Sequence, residues 1–358
     1  MTVADIYQYV YLSLATVLLY ISIGRSKRIV PNSHSVFHNS PMCIIMVVLL
    51  AVFIGFRPIS VGADTSQYYQ EYSYVQGEVF QFDKDVDNIV YNNLIAFLGS
   101  LNIDIRALFL LMSFIYFSGI YLACKKLFPQ NQEVAFMSYL VAFSTFSYGV
   151  NGMKAGVAGS IFLLALAYKD KKAISIVLAF LSVGFHHSMI VVAYAYVISF
   201  FVKNTKFFFY VWLLCTIMAV AHIDAFQSLF ASIADEKGRE YLLGDDYLTG
   251  FRPDFILYSA MPVLVGYIMI FKKKVHNDMY ELWLRVYLTT NSVWMLCMYA
   301  SYTNRIAYLS WFMYPIVLLI PFFAISTSNS QLTVGKRVVQ YHLFFTLFMV
   351  IVYYGLLH

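Results

Sequence analysis

Charge is in short supply in this 358-residue chain. Asp, Glu, Lys and Arg make up 12% of it, about half the share of an ordinary water-soluble domain. Together with 61% hydrophobic residues and a mean hydropathy of +0.69, that shortage excludes a soluble enzyme. It also excludes disorder, which requires low hydrophobicity and high charge. Cysteine is scarce as well, with four in the chain. Cys43 and Cys124 end apolar runs, Cys215 and Cys297 lie within them, and no C-x-x-C pair occurs. Neither a disulfide framework nor a zinc site is supported. No basic stretch precedes the first apolar run, whose cations Arg25, Lys27 and Arg28 follow it. That order suits a retained membrane helix with its N-terminus outside, not a cleaved signal peptide.

What the chain has instead is a succession of apolar runs near the roughly 20 residues needed to cross a bilayer. They fall at 4–24, 41–56, 105–124, 133–150, 153–168, 173–186, 188–202, 207–223, 254–271, 283–302, 306–325 and 338–357. The segment 89–101 is apolar but carries two asparagines, and reads as a re-entrant or interfacial helix. The expected fold is therefore an all-α polytopic membrane protein, a single membrane domain over 1–358. It has about twelve transmembrane helices, both termini outside, and two larger outer loops, 57–104 and 224–253, with short helices. The positive-inside rule agrees with this order. The inner loops hold 16 cations and four acids, a balance of +12, and the outer segments hold eight and 15, a balance of −7. Counting 89–101 as a span would invert every later loop and destroy that sorting. The inner loops are short and basic, with no Gly-rich phosphate cradle. Chemistry is expected on the outer side, and no nucleic-acid partner is expected.

Eight cations lie on the disfavoured outer side: Arg57, Lys84, Arg106, Lys154, Lys237, Arg239, Arg252 and Arg305. Lys84, Lys237 and Arg239 stand among acids, as on a solvated surface. Arg57, Lys154, Arg252 and Arg305 stand at the membrane edge, where an ionisable group is expensive and by default marks function; snorkelling is the plainer alternative. Gly55-Phe56-Arg57-Pro58 and Gly250-Phe251-Arg252-Pro253 share a local sequence in which proline biases the arginine towards extended backbone. An arginine held there can turn its fork of donors onto a phosphate. Downstream, Gly62 permits a tight turn, and Asp64 is either a helix cap or a general base or orienting group beside Arg57. Tyr68 and neighbouring tyrosines are candidates to stack on sugar rings. His186-His187-Ser188 interrupts an apolar stretch at its outer end, making His186 a second candidate base. Asp83, Asp85 and Asp87 resemble a calcium loop, but Asn88 and Leu94 occupy its glycine and glutamate positions, so the match fails.

At these residues the sequence resembles the EpsG-like membrane proteins, related to the Wzy-type polymerases of bacterial O-antigen and exopolysaccharide. The likeness rests on Gly55-Phe56-Arg57 with Val61-Gly62-Ala63-Asp64-Thr65 and Tyr68. It continues in Asn151-Gly152-Met153-Lys154 through Lys171-Lys172 to Phe185-His186-His187-Ser188, and ends with Asn304-Arg305 and the run to Pro315. The family often has Thr where Ala63 stands and Arg where Lys154 stands; the lysine keeps the charge but loses bidentate geometry. The resemblance implies a multi-pass protein of the bacterial inner membrane whose active site, termini and larger loops face the periplasm. It implies transfer of a growing glycan from undecaprenyl diphosphate to a new lipid-linked repeat unit. Asp64 or His186 would take the acceptor proton, and Arg57 and Arg305 would stabilise the leaving diphosphate. Lys154, Arg252, Tyr68 and His187 would bind substrate. No metal or other cofactor is required, and a flippase and a chain-length regulator are the implied partners beside the bilayer and the lipid-linked donor and acceptor. Two other readings share the outward residues: a flippase or transporter of lipid-linked oligosaccharide, and an acyltransferase modifying surface glycans.

Overall fold

The computed structural model describes residues 2–30, 39–223, 226, 230–232, 236–243 and 250–353. Among them every regular element is helical and no strand occurs. Helices α1 to α11 are Val3–Arg25, Pro41–Gly55, Thr65–Ser73, Ile89–Ser100, Ile105–Leu127, Gln132–Leu140, Thr145–Val150, Met153–Ala167, Lys172–Phe185, Met189–Phe201 and Thr205–Val220. Helices α12 to α17 are Glu236–Leu243, Pro253–Tyr267, Asp278–Leu296, Thr303–Trp311, Tyr314–Phe323 and Asn329–Leu347. Helices α13 and α17 each run on into a π-helical turn, Ile268–Lys272 and Phe348–Tyr353.

Among the described residues, five stretches are long and apolar enough to cross a membrane: Val3–Arg25, Ile105–Leu127, Pro253–Lys272, Thr303–Phe323 and Asn329–Val352. Six shorter apolar helices, α2, α4 and α8 to α11, join them, so the chain is an all-helical membrane protein. Local chemistry sets several ends. Thr2 and Asp5 form a capping box that opens α1, whose last turn carries Arg25. Pro41 and Pro253 each occupy a first helical turn, where the missing N–H costs nothing.

Two sequence expectations need correction. The expected span 133–150 is two helices, α6 and α7, separated by a turn at 141–144. The expected span 283–302 begins earlier, because the Asn277 side chain accepts from the Tyr280 N–H at 3.0 Å, and it ends at Leu296. Arg285, counted among the inner cations although it falls inside the expected span, lies within that helix. The guanidinium is 3% exposed and donates to the Ser199 carbonyl and Thr205 Oγ1. Residues 224–225, 227–229, 233–235 and 244–249 of the 224–253 loop, the Lys237 side chain and the end of the last expected span lie outside the described residues.

The chain forms two compact units: unit one is Met1–His186 with Phe322–His358, and unit two is His187–Pro321. In unit one, α5 lies between α2 and α8, and α9 packs on α8. A side chain at Gly119 would sit 2.8 Å from Ser160 Oγ, so the glycine lets α5 and α8 approach closely. In unit two, α14 packs against α10, α11 and α15 around the fully buried Trp283, Trp294 and Trp311. The Trp212 indole donates to Asn291 Oδ1 at 2.7 Å, and Asn291 donates to Ser310 Oγ at 2.9 Å.

Candidate active site

In unit one the segment after α2 makes two successive turns, Val61 N–H to the Pro58 carbonyl and Thr65 N–H to the Gly62 carbonyl. Arg57 closes them from inside. Its guanidinium donates from Nε to Thr65 Oγ1 (3.2 Å), from Nη1 to the Ile54 carbonyl (3.0 Å) and from Nη2 to the Val150 carbonyl (3.2 Å). The same group lies 4.1 Å from the centroid of the Phe109 ring. It is 1% exposed, and burial pushes it down to about 10, still protonated at neutral pH. The fork is turned inward, onto carbonyls that accept its charge-assisted bonds.

Gly62, at φ +95°, lies against the turn that follows α7, where an added Cβ would sit 2.4 Å from Val150 and 2.7 Å from Asn151 Oδ1. Tyr68 completes the junction by donating its hydroxyl to the Asn151 carbonyl at 2.7 Å. At 5% exposure it packs into this junction. Two motifs about 90 residues apart in sequence thus fold onto each other.

Three residues beyond Asn151, Lys154 lies in the first turn of α8. Its ammonium lies 4.7 Å from the Tyr91 ring centroid, 5.8 Å from that of Tyr68 and 3.4 Å from Glu71 Oε2. Its side chain keeps 21% exposure, so the charge is caged yet reachable. Helix α9 returns antiparallel to α8, with Ser175 donating to the Ala165 carbonyl and Ser182 to the Ala158 carbonyl. That register sets Lys154 level with His186, each one helical turn beyond the Ala158–Ser182 bond. His186 caps the end of α9 in extended backbone and is half-buried. Asp64 precedes α3, half-buried, and its carboxylate makes no cap bond to that helix. Its backbone is helical (φ −87°, ψ −5°), whereas a side-chain N-cap needs extended geometry, so the capping alternative fails.

In unit two Arg252 does form a bidentate pair, but with Asp254: Nε to Oδ1 at 3.0 Å and Nη2 to Oδ2 at 2.6 Å. Its guanidinium also covers the Phe255 ring at 3.5 Å. Phe255 packs edge-on against Trp311, and Trp294 donates to Thr303 Oγ1 at 2.9 Å, fixing the start of α15. Arg305, half-buried two residues later, has its guanidinium 5.0 Å from the Tyr302 ring centroid. His187 is half-buried, and its carbonyl accepts from the Ile190 N–H. The structure thus brings Asp64, Lys154 and His186 to the α3, α8 and α9 ends of unit one, and in unit two sets Arg252 on the Phe255–Trp311 cluster and Arg305 beside Tyr302 at the start of α15. Sequence reasoning missed Glu71, Tyr91 and Asp254. Only Asp254, two residues from Arg252, carried a local signal.

A family model described as the EpsG family matches residues 41–357. No curated protein and no solved structure matches the chain.

Proposed function

The chain belongs to the EpsG family, and from that premise we propose that it polymerises undecaprenyl-diphosphate-linked oligosaccharide repeat units by glycosyl transfer on the periplasmic side of a bacterial inner membrane. The observation that carries this reading is the placing of Lys154 level with His186, beside the loop that Arg57 holds. In the reaction an acceptor hydroxyl oxygen bonds to the anomeric carbon of the donor. The bond from that carbon to the diphosphate oxygen breaks, and its electron pair leaves with the lipid diphosphate. The hydroxyl proton needs a base, and His186 is the first candidate with Asp64 the second. Negative charge grows on the leaving diphosphate, and the Lys154 ammonium supplies a cation to meet it. The weak contact with Glu71, at 3.4 Å, is one that a diphosphate can displace.

Arg57 has a positioning role in this reading, fixing Val150 and Asn151 and through them the start of α8. Arg252 and Arg305 are carried from the sequence as diphosphate-binding candidates, each tested by single substitution. The experiment is glycan ladder length in cells carrying Lys154→Met, His186→Ala or Arg305→Ala, with membrane insertion verified. Shortened or absent ladders are expected. Normal ladders from a stably inserted Lys154→Met would remove the cation from the mechanism.

A further inference from the structure

A cavity of about 350 Å³ opens where α1 ends, lined by Ser22, Arg25, Lys27, Asn131 and Glu133 among others. The preceding 22 residues of α1 are membrane-spanning in length and composition, so the cavity lies at headgroup level. Its floor is fixed by the protein itself. The Asn131 amide accepts from the Lys27 N–H at 2.8 Å and donates to the Lys27 and Phe323 carbonyls at 2.9 and 3.1 Å.

Gln130 is bonded to the Val30 backbone and Gln132 Oε1 accepts from Tyr121, and the charged groups of the lining are of two kinds. Arg25, with a side chain 63% exposed, and Lys27 supply positive charge. Glu133 supplies negative charge and is oriented by Ser40 Oγ, which donates to its Oε1 at 2.7 Å. Arg25 stands 3.6 Å from Glu133, longer than a charge-assisted hydrogen bond, so the pair is not closed. Ser22 and Ser26 donate their own protons to the Leu19 and Ile23 carbonyls, both at 2.8 Å, which leaves their oxygens as acceptors only. A ligand matching this set carries a phosphate for the two cations and, a few bonds away, an N–H-bearing cation for the carboxylate and hydroxyl oxygens. The volume fits a small headgroup. The exposed apolar face of α1, with Val17, Tyr20 and Ile21, offers a path for acyl chains leading away from it.

From this we propose that the α1-end cavity is a lipid site for the zwitterionic headgroup of phosphatidylethanolamine, separate from the reaction proposed above. Phosphatidylcholine shares the phosphate but has no N–H to donate, and so is the discriminating comparison. The test is native mass spectrometry of the full-length chain with equimolar phosphatidylethanolamine and phosphatidylcholine of the same acyl chains. Retention of the ethanolamine lipid about threefold over the choline lipid is expected, the ratio that one partly exposed ion pair supplies. Glu133→Gln, which keeps the bond from Ser40, is expected to abolish that preference. Equal retention of both lipids, or a preference that survives Glu133→Gln, overturns the proposal. So does free O-phosphoethanolamine raising Tm as much as the lipid, since the ligand would then be soluble. If Glu133→Gln does not fold, Arg25→Gln on the exposed rim is expected to lower retention of both lipids, and unchanged retention overturns it equally.

Discussion

Arg57 illustrates how a buried charge is kept without a carboxylate: two carbonyls, one hydroxyl and the face of Phe109 together replace water. Lysine cannot reproduce that fork, so Arg57→Lys is predicted to cost about 2–3 kcal/mol, measurable as a lowered Tm of the purified protein. An unchanged Tm would show that the three bonds do not hold the loop. Lys154→Met is predicted to slow elongation roughly 10²-fold or more, while Lys154→Arg, which retains the charge, loses less. Equal loss in the two variants would argue for packing between Tyr68 and Tyr91 as the lysine's role. The residue types of this site were legible in the sequence, their directions less so. That Arg57 is out of place on the outer side follows from charge sorting. That it turns inward depends on the Val150 carbonyl, 93 positions away, which no local pattern reveals. The hydroxyl partner of Tyr68, the Asn151 carbonyl, is equally invisible to local pattern.

At the scale of elements, the loop from Arg57 to Tyr68 is seated on the α7–α8 turn, and Gly62 is its tightest point. Gly62→Ala would strain a φ of +95° and drive a methyl group into Val150. A loss of about 2–4 kcal/mol is predicted, together with weaker elongation; a variant with wild-type Tm and ladders would show that the loop can seat elsewhere. The short helices were harder to read than the long ones. Residues 133–150 are apolar throughout, and hydropathy does not record that the Val141 and Ala142 amides fold back onto Met137 and Tyr139 to end α6. By contrast the helix within 89–101 was legible, and its Asn92 and Asn93 side chains bond the neighbouring loop at Asp87 and Asp83.

For the whole molecule, the sorted charges predict that α3, the start of α8 and the end of α9 lie on the opposite side of the membrane from the turn at Lys169–Lys172. All four cysteines are buried, which makes single-cysteine labelling clean. Gln67→Cys is predicted to react with a membrane-impermeant maleimide in intact spheroplasts, and Asp170→Cys only after permeabilisation. The reverse pattern would invert the topology and with it the site. The central claim is tested most directly by incubating the purified chain with a single undecaprenyl-diphosphate-linked repeat unit and sizing the glycan. Longer products that disappear in Lys154→Met and His186→Ala are predicted. Repeat units that stay single with the wild-type chain, or full elongation by both variants, would contradict it.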